Sequence, residues 1–390
     1  MTAAIASGEL PDLAMTRGGA FGLYIHVPFC ATRCGYCDFN TYTPGELGGA
    51  TPEGWLAAVR QELVLAAARL PGPAVDTVFV GGGTPSMLGH SGLAAVLDAI
   101  RDTFVLAPGA EITTESNPES TSPEFFAEIR AAGYTRVSLG MQSAAAHVLR
   151  LLDRTHSPGR AVAAAGEAQA AGFEHVNLDL IYGTPGESDD DLRRSVDAVL
   201  SSGADHLSAY ALVVEDGTAL ARRVRRGEMA AVDDDVLASR YELLDGLVTD
   251  AGFGWYEVSN WSRPGGECRH NQGYWGGGQW WGAGPGAHGF VGQTRWWNVK
   301  HPNAYALQLG QGQLPVADFE TLSDNDRHVE TVLLGIRLRD GLPVAELTAG
   351  ELARAEAAVA EGLLDRVGER LVLTDHGRLL ADGIVRDILE

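Results

Sequence analysis

Strand-like and helical segments alternate six times between Phe21 and Val214. Short runs of β-branched and apolar residues predict the strands, and longer segments rich in Ala and Leu predict the helices between them. This alternation produces parallel strands joined by right-handed crossovers, and therefore a doubly wound sheet or a barrel. Six units approach a (β/α)8 barrel without completing it, so we predict an α/β fold with a partial (β/α)6 barrel. The predicted strands cover residues 21–27, 74–80, 110–115, 135–140, 175–183 and 205–213, and the predicted helices cover 53–69, 90–104, 122–132, 143–152, 158–172 and 188–202.

The alternation stops after about residue 220. A helix is predicted over 233–251 and a short strand over 253–261, whereas the Gly- and Trp-rich segment 270–290 has no regular period. The five aromatic residues of that segment indicate packing, so we predict an ordered loop there. From about residue 321, two helices, two strands turning at Gly368 and a further helix predict a smaller C-terminal α+β domain that resembles a winged helix. The predicted organisation is a flexible leader (1–20), the barrel (21–220), a barrel extension (221–320) and the C-terminal domain (321–390).

The charge balance argues against nucleic acid as a partner, because 51 acidic side chains outnumber 29 basic ones and the formal net charge is −22. Three of the four cysteines are clustered, and this distribution fits a reducing cytoplasm better than a secreted disulfide framework. No apolar run approaches the ~20 residues that span a bilayer, and the first residues lack the pattern of a signal peptide. The sequence therefore predicts a soluble, cytoplasmic protein with at most peripheral membrane contact.

The clustered cysteines, Cys30, Cys34 and Cys37, follow the first predicted strand with C-x3-C-x2-C spacing. A zinc site would need a fourth ligand, for which a nearby His or Asp or the distant Cys268 is available. The segment CGYC also matches a dithiol redox pair, although that function leaves the first cysteine without a role. An iron–sulfur cluster held by three thiolates leaves one iron free to bind a small chelating molecule. Each of these chemistries predicts a site just after the first strand.

With an aromatic residue, Tyr36, directly before the last cysteine, the motif resembles the signature of the radical S-adenosylmethionine (SAM) superfamily. The resemblance implies that Cys30, Cys34 and Cys37 bind a [4Fe–4S] cluster, and that the amino and carboxylate groups of SAM chelate its fourth iron. It also implies Tyr36 as a SAM contact. In such proteins the cofactors carry the radical chemistry, and the protein supplies orientation and shielding.

A Gly-rich segment, GGGTP, directly follows the second predicted strand. Glycines let backbone groups approach a ligand closely and adopt unusual dihedral angles, although such segments also form ordinary tight turns. In the superfamily a motif at this place binds the amino group of SAM, which implies that role for Gly82, Gly83 and Thr84. Glu115 ends the third strand, where its carboxylate can accept hydrogen bonds from both ribose hydroxyls of SAM or simply lie near a helix N-terminus.

Three further polar residues lie along or after the next strands. Gln142 follows the fourth strand, and Arg154 has a guanidinium group suited to the SAM carboxylate. Asp179 lies inside the fifth strand on one face with Asn177 and Ile181, where an acidic side chain needs either a ligand or a buried partner. Because ligands bind at the carboxyl ends of barrel strands, we expect all these residues to line one SAM site.

The motifs YIHVPFCATRCGYCDFN, GGGTPS, TTESNPE, RVSLGMQS, LLDRTHS and LDLIYGTPGES together resemble the coproporphyrinogen III oxidase-like branch of the superfamily. This resemblance adds Tyr24 and the backbone around Val213 as SAM contacts. One group in the branch, the oxygen-independent coproporphyrinogen III dehydrogenases, decarboxylates two propionates by radical chemistry. Its members typically have a longer N-terminal segment and a fourth cysteine two residues after the third. This chain has Phe39 at that position, which favours the other group, the HemW family of heme chaperones.

The segment CRHNQGYW, residues 268–275, matches the HNxxYW motif of the HemW family. It implies His270 as a heme ligand with Cys268 and His288 as further candidates, although a histidine in such a segment also often orders a turn. The resemblance further implies delivery of heme to respiratory proteins of the membrane. It also implies that the SAM site can draw electrons from a flavodoxin- or ferredoxin-like donor. The sequence leaves monomer and homodimer open.

Overall fold

Six parallel strands form the centre of the molecule, as predicted. The computed structural model describes residues 10–15, 19–154 and 157–390. The six strands are β1 Phe21–Val27, β2 Val75–Gly82, β3 Leu106–Ser116, β4 Arg136–Gln142, β5 His175–Tyr182 and β6 His206–Ala211. They lie side by side in sequence order, and each pairs in parallel with the next. Their carboxyl ends therefore meet at one edge, where barrels of this kind bind their ligands.

Six helices connect these strands, and three of the six begin at a residue whose side chain caps the helix. Thr51 and Ser188 are N-caps, and Ser188 forms a reciprocal capping box with Asp191. The helices are α1 Pro52–Arg69, α2 Gly89–Arg101, α3 Pro123–Ala132, α4 Ala146–Leu151, α5 Arg160–Ala170 and α6 Asp189–Ser201. No helix within the described ranges is long and apolar enough to cross a bilayer.

After β6 the chain extends the same sheet at both of its edges. The elements that follow are α7 Ala219–Arg225, α8 Asp234–Asp250, β7 Gly254–Glu257, β8 Asn260–Ser262, α9 Arg269–Trp275, β9 Gln279–Ala283, β10 His288–Val291, β11 Thr294–Asn298, α10 Pro302–Gly310 and β12 Val316–Thr321. Strands β8 and β7 continue the sheet beyond β6, and β9 to β12 continue it beyond β1. One twelve-stranded sheet results in the described part of the chain.

Two sequence predictions in this extension are wrong. The segment expected to be one short strand is the hairpin of β7 and β8. The segment 270–290, expected to be a loop, contains most of α9 and the strands β9 and β10. Strand β9 forms because it pairs in parallel with β1, which lies about 255 positions earlier in the sequence. The local pattern of residues in a glycine-rich segment contains no information about such a distant contact.

A buried glutamate on α1 orders this glycine-rich segment. The carboxylate of Glu62 accepts hydrogen bonds from the Gly284 N–H (2.9 Å), the Asn298 side-chain amide (2.8 Å) and the Tyr305 hydroxyl (2.5 Å). Burial raises the pKa of Glu62 to about 7. Because these partners lie on three different segments, the glutamate fixes the turn between β9 and β10 against α1 and α10.

The C-terminal residues form a second, smaller core with the winged-helix-like arrangement that the sequence predicts. Its elements are α11 Asp324–Gly335, β13 Leu342–Pro343, α12 Ala349–Ala360, β14 Leu364–Val367, β15 Arg370–Leu373, α13 Asp375–Leu379 and α14 Ala381–Leu389. The strands β14 and β15 turn at Gly368, which has a φ of 60°. A buried ion pair of 2.7 Å between Arg378 and Asp245 connects this unit to α8 of the main body.

Part of the N-terminal segment packs on the main body, which differs from the flexible leader expected from the sequence. Leu10 is buried in the main core, and Leu13 and Met15 pack against it. Burying these apolar side chains removes them from water and so holds this stretch in place. The remaining parts of the expected leader, residues 1–9 and 16–18, lie outside the described residues.

Candidate cofactor site

The three clustered cysteines lie on the loop that leaves β1, and they line one cavity. Cys30 is buried, Cys34 and Cys37 are partly buried, and all three are free thiols. The Cys37 N–H donates to the Cys34 carbonyl at 3.2 Å, so the last two cysteines lie on a tight turn. The cavity, called the cysteine cavity below, has a volume of about 450 Å³ and opens at the carboxyl ends of β2, β3 and β4.

The cysteine loop is fastened to the barrel extension. The side-chain amide of Asn40 donates to the carbonyls of Pro285 and Lys300, each at 2.9 Å. The Tyr42 hydroxyl donates to the same Lys300 carbonyl at 3.1 Å, and His26 Nε2 lies 2.9 Å from the Asn40 carbonyl. The segment after β9 thus positions the loop that carries the cysteines, a relation that no sequence motif indicated.

The structure brings most of the expected SAM contacts to this cavity. Its wall includes Tyr36, Gly82, Gly83, Thr84, Glu115, Gln142, Arg154 and Asp179. The other two expected contacts, Tyr24 and Val213, line a second cavity of about 610 Å³, called the inner cavity below. The two cavities adjoin, because Tyr36, Phe39 and Glu115 are among the residues that line both.

Two polar side chains reach the cysteine sulfurs. The Thr84 hydroxyl lies 3.6 Å from Cys30 Sγ, and Arg154 Nη1 lies 3.4 Å from Cys34 Sγ. Such donors stabilise negative charge on sulfur. Burial raises the pKa of Cys30 and raises that of Cys37 to about 11, an effect that metal binding to the thiolates would offset.

The wall of the cysteine cavity fits a cluster with SAM. Arg154 Nε and the Ser116 hydroxyl are buried there without a hydrogen-bond partner among the described residues, and buried polar groups of this kind normally have a partner. A Cβ on Gly83 would lie 2.5 Å from the Phe29 carbonyl oxygen and 3.0 Å from Cys30 Sγ, so the close approach needs glycine. Within the described ranges, no three Cys, His, Asp or Glu side chains are placed to hold one metal ion. Ligands of a cluster bind different irons and need not converge on one point.

Gly82 and Glu115 connect the ends of β2 and β3. Gly82 has a φ of 112°, and a Cβ there would lie 2.6 Å from the ring of His26, so a side chain would be strained in both respects. Its N–H donates to Glu115 Oε2 at 2.9 Å. Burial and the nearby Asp179 raise the pKa of Glu115 to about 8, which makes this carboxyl group sensitive to hydrogen-bond donors from a ligand.

Asp179 has structural partners and also faces both cavities. Its carboxylate accepts hydrogen bonds from the Ser138 hydroxyl at 3.1 Å and from the Asn177 amide at 2.6 Å. Asn177 in turn contacts His206 Nδ1 at 2.7 Å. Burial raises the pKa of Asp179 to about 6. The sequence left two alternatives for Asp179, a buried hydrogen-bond partner or a position facing a ligand. The structure gives the side chain buried partners and also places it on the wall of both cavities.

Gln142 has an unusual backbone conformation at the end of β4. Its φ is 67°, and the pairing of β4 with β5 shifts register between Gly140 and Gln142. Non-glycine residues held in this region are strained and often lie at functional sites. The shift carries the Gln142 side chain to the wall of both cavities.

The inner cavity has a largely apolar and aromatic wall and an exposed apolar rim. Phe39, Tyr210 and Val213 line it, and 61%, 47% and 58% of their respective surfaces remain exposed. Exposed large apolar side chains grouped at a cavity are typical of binding sites. Phe39 occupies the position where the dehydrogenases of the branch typically have a fourth cysteine, so this replacement leaves an apolar ring at the rim.

His270 is buried on the wall of the inner cavity, and both of its ring nitrogens have partners. Nδ1 lies 2.8 Å from the Thr77 hydroxyl, and Nε2 lies 2.8 Å from the Tyr274 hydroxyl. The ring stacks on Phe79 with a centroid distance of 5.3 Å. Burial lowers the pKa of His270 to about 4. These contacts match the structural alternative, and heme ligation by His270 would require the loss of one of these hydrogen bonds.

The two further candidate heme ligands have opposite environments. Cys268 is buried, its Sγ lies 3.4 Å from Glu111 Oε1, and burial raises its pKa to about 12. His288 is exposed and stacks on Trp297 with a centroid distance of 5.9 Å. The pKa of His288 is lowered, mainly by partial burial and to a smaller extent by the positive charges of Lys300 and then Arg295.

Sequence reasoning missed Glu111, which orders the start of α9. Its carboxylate accepts hydrogen bonds from Arg136 Nε (3.3 Å), the Arg269 N–H (3.1 Å) and the His270 N–H (3.0 Å). The residue lies inside β3, and the criterion that singled out Asp179, an acidic side chain within a strand, would have found it. Glu111 therefore determines where the HNxxYW helix meets the sheet.

Comparisons with known proteins agree with this geometry. A family model for the radical SAM superfamily matches residues 24–199, and one for the HemN C-terminal domain matches residues 322–380. The chain is 71% identical over 381 residues to the heme chaperone HemW of Mycobacterium tuberculosis (strain H37Rv), with 98% of each chain covered. The chain belongs to the HemW family. Another relative of this HemW-family chain is the heme chaperone HemW of Escherichia coli (strain K12), at 32% identity over 95% of this chain and 98% of the relative.

The same family relation extends to mitochondria and to a related fold. The mouse mitochondrial radical S-adenosyl methionine domain-containing protein 1 is 35% identical, with 92% of this HemW-family chain and 75% of the relative covered. The solved structure of coproporphyrinogen III oxidase (HemN) from Escherichia coli has a TM-score of 0.83 at 23% identity, over 96% of this chain and 91% of that one. That likeness concerns the fold, and it confirms the partial barrel with its C-terminal domain. Membership of the radical SAM superfamily implies a [4Fe–4S] cluster and SAM as cofactors of this HemW-family chain.

Proposed function

We propose that this chain is a heme chaperone that binds a [4Fe–4S] cluster and SAM and passes heme to heme-accepting respiratory proteins. The observation that carries the proposal is the 71% identity, over 98% of the chain, to a protein named as the heme chaperone HemW. The geometry supports it in one respect, since Phe39 lies at the rim of the cavities where the dehydrogenases have a fourth cysteine. A low-potential flavodoxin- or ferredoxin-like protein would supply electrons to the cluster.

In this proposal Cys30, Cys34 and Cys37 hold the cluster. When bound, a [4Fe–4S] cluster supplies an electron for reductive chemistry on SAM. The contribution of the chain is electrostatic, because Arg154 and Thr84 donate to two of the sulfurs. Hydrogen bonds to cluster sulfurs raise the reduction potential, since they stabilise the additional negative charge.

The remaining wall residues would bind and orient SAM. The backbone at Gly82 and Gly83 is open to a ligand because neither position carries a side chain. The ribose hydroxyls of SAM would donate to Glu115, and such donors favour the ionised carboxylate over its protonated form. Tyr24 and Val213 would contact SAM from the inner cavity, whose wall adjoins the cysteine cavity.

The test uses the full chain reconstituted anaerobically with iron and sulfide. We expect about four irons per chain, SAM binding in equilibrium dialysis, a Soret band on addition of heme, and transfer of that heme to an apo b-type cytochrome. Cys34→Ser should lose most of the iron. The matched control is Cys268→Ser, because Cys268 lies outside the cysteine cavity, and its iron content should equal that of the wild type.

The same preparation distinguishes the chaperone from the dehydrogenase. Incubated with SAM, a strong reductant and coproporphyrinogen III, it should form no protoporphyrinogen. Formation of protoporphyrinogen at a catalytic rate would favour the dehydrogenase and contradict the proposal. Preparations that contain zinc and no iron would contradict the cluster itself.

A further inference from the structure

A chaperone that hands its heme to another protein needs a heme ligand that the acceptor can reach. His270 does not meet this requirement, because it is buried and both of its ring nitrogens are hydrogen-bonded. Among the histidines in the described ranges, only His288 and His376 have no hydrogen-bond or ion-pair partner at either ring nitrogen, and both are exposed. His301 is exposed as well, but its Nδ1 accepts a hydrogen bond from the Asn303 N–H at the start of α10. His376 lies on α13 of the small C-terminal unit, and its ring stacks on no aromatic side chain among the described residues.

The surroundings of His288 suit a planar apolar ligand. His288 on β10 is directly opposite Trp297 on β11, and their rings stack at an interplanar angle of 28°. Residues two apart on a strand, and directly opposed residues on paired strands, share one face of the sheet. By that rule Phe290 and Trp280 lie on the same face as His288, and their ring centroids are 5.6 Å apart. An exposed imidazole thus lies beside two partly exposed indole rings, those of Trp297 and Trp280, whereas Phe290 is buried.

A free cation lies beside this surface. Lys300 is exposed, is the only lysine in the sequence, and has no ion-pair partner in the described part of the chain. Its charge is close enough to lower the pKa of His288. The neighbouring Arg295 is less available, because Glu320 and Glu330 pair with it at 3.0 and 2.7 Å. In a chain with a formal net charge of −22, an unpaired cation at an aromatic surface is a specific feature that suits a carboxylate.

The same segment also touches the cysteine loop. The carbonyls of Pro285 and Lys300, on either side of His288 in the sequence, both accept hydrogen bonds from Asn40. The Tyr42 hydroxyl also donates to the Lys300 carbonyl, so the surface around His288 and the loop that carries the cysteines are attached to one another through Asn40 and Tyr42.

We propose that His288 is the axial ligand of the heme cargo, on the exposed face formed by His288, Trp280, Trp297 and Lys300. An imidazole nitrogen binds the iron, the macrocycle lies against the indole rings, and a propionate pairs with Lys300. Release is a ligand exchange: the acceptor's own ligand binds the open side of the iron, and the bond between iron and His288 then breaks. The iron keeps its oxidation state, and no electron or proton is needed. The inference rests on the proposed chaperone function, because it names the site of that cargo.

The first test is a heme titration of the full, cluster-reconstituted chain, followed by difference absorbance in the Soret region. His288→Ala should weaken heme binding by about tenfold or more, as expected for loss of a bond worth over 1.4 kcal/mol. The matched control His376→Ala removes the other exposed, unpartnered histidine and should bind heme as the wild type does. Lys300→Ala should weaken binding by a smaller factor, and the remaining affinity should depend less on salt.

The second test changes the ligand instead of removing it. His288→Cys should give a ferrous–CO complex with the red-shifted Soret band of thiolate ligation, a signal that a merely structural role of His288 cannot produce. A wild-type spectrum and affinity in both His288→Ala and His288→Cys would overturn the inference while leaving the chaperone function in place. Loss of the Soret band in a folded His270→Gln variant, with His288→Ala unaffected, would assign the ligand to the HNxxYW helix. Absence of heme binding by the wild type would instead contradict the proposed function.

Discussion

Replacing Glu111 by Gln should destabilise the main body strongly, because the carboxylate is the counter-charge of a buried arginine. Only 5% of the Glu111 side chain and 2% of the Arg136 side chain are exposed. Arg136 Nη2 donates to the carbonyls of Gly266 and Glu267, whereas Nη1 has no hydrogen-bond partner among the described residues. No second carboxylate in the described part of the chain pairs with this guanidinium. The amide of Gln keeps the shape of the side chain and removes its charge.

The magnitude follows from the contacts that are lost. Removing one partner of a buried ion pair costs about 3–5 kcal/mol, because the other charge remains buried. Arg269 N–H and His270 N–H donate to different oxygens of Glu111, and the single oxygen of Gln can accept from only one of them. We therefore expect Glu111→Gln to lie near the middle of that range, at about 4 kcal/mol. Glu111→Ala leaves both N–H groups unpaired, which adds about 1 kcal/mol or more to the loss expected for Gln.

The assay is urea unfolding followed by tryptophan fluorescence and circular dichroism. All eight tryptophans lie before residue 322, so fluorescence reports mainly on the main body. Trp255 also packs against the C-terminal core and reports on that unit too. A double-mutant cycle with Arg136→Met should show a coupling free energy of about 2–3 kcal/mol, because the double variant leaves no buried charge behind. The control Glu174→Gln breaks an ion pair with Arg130 in which the Glu174 side chain is 56% exposed, and its stability should equal that of the wild type.

Two results would refute this reasoning. A loss below about 1 kcal/mol for Glu111→Gln would mean that the site tolerates an unpaired guanidinium, in contrast to other buried pairs. Strict additivity of Glu111→Gln and Arg136→Met would mean that the two side chains do not stabilise each other.

Three further outcomes are expected. Gly82→Ala should reduce the free energy of unfolding more than Gly89→Ala does. Both glycines have a positive φ, but only a Cβ at position 82 would collide with a neighbouring side chain, the ring of His26. Equal losses of stability in urea titrations would exclude this steric argument. Because burial lowers the pKa of His270 to about 4, its share of stability is complete above the unfolded pKa near 6.5 and falls as the pH decreases towards 4. Between pH 7.5 and 5 the wild type should therefore lose about 2 kcal/mol that His270→Gln does not, and parallel pH profiles would contradict this. Glu115 has a pKa raised to about 8, so SAM affinity in equilibrium dialysis should increase from pH 7 to 9, and Glu115→Gln should reduce it by about tenfold or more and remove that increase.

The parts that the sequence predicted well depend on local patterns. The period of the apolar residues distinguishes strands from helices, and parallel strands place their carboxyl ends together whatever the details of packing. For this reason Gly82, Glu115 and Gln142 could be expected at one site from their positions at the ends of successive strands, and the structure places all three at the cysteine cavity. The spacing of the cysteines, a local property too, was enough for the family resemblance.

The parts that the sequence missed depend on contacts between distant segments. Nothing in the glycine-rich stretch 270–290 indicates that β9 pairs with β1, or that Glu62 on α1 accepts four hydrogen bonds from it and its neighbours. The sequence likewise gives no sign of the role of Asn40, because its side-chain amide donates to two carbonyls of the distant barrel extension. Such pairings are selected by burial and hydrogen-bond satisfaction over the whole fold.

The sequence alone determined the class of the fold, the cysteine motif and the position of the site at the carboxyl ends of the parallel strands. These features follow from the spacing of residues along the chain. Only the tertiary structure decided which histidine is accessible. His270 belongs to the family motif, yet packing surrounds it with Thr77 and Tyr274, whereas His288, outside that motif, remains exposed on an aromatic face. The exposure of a histidine and the availability of its ring nitrogens depend on how the whole chain packs. The spacing of residues in the sequence therefore could not show that His288 is more accessible to a ligand than His270.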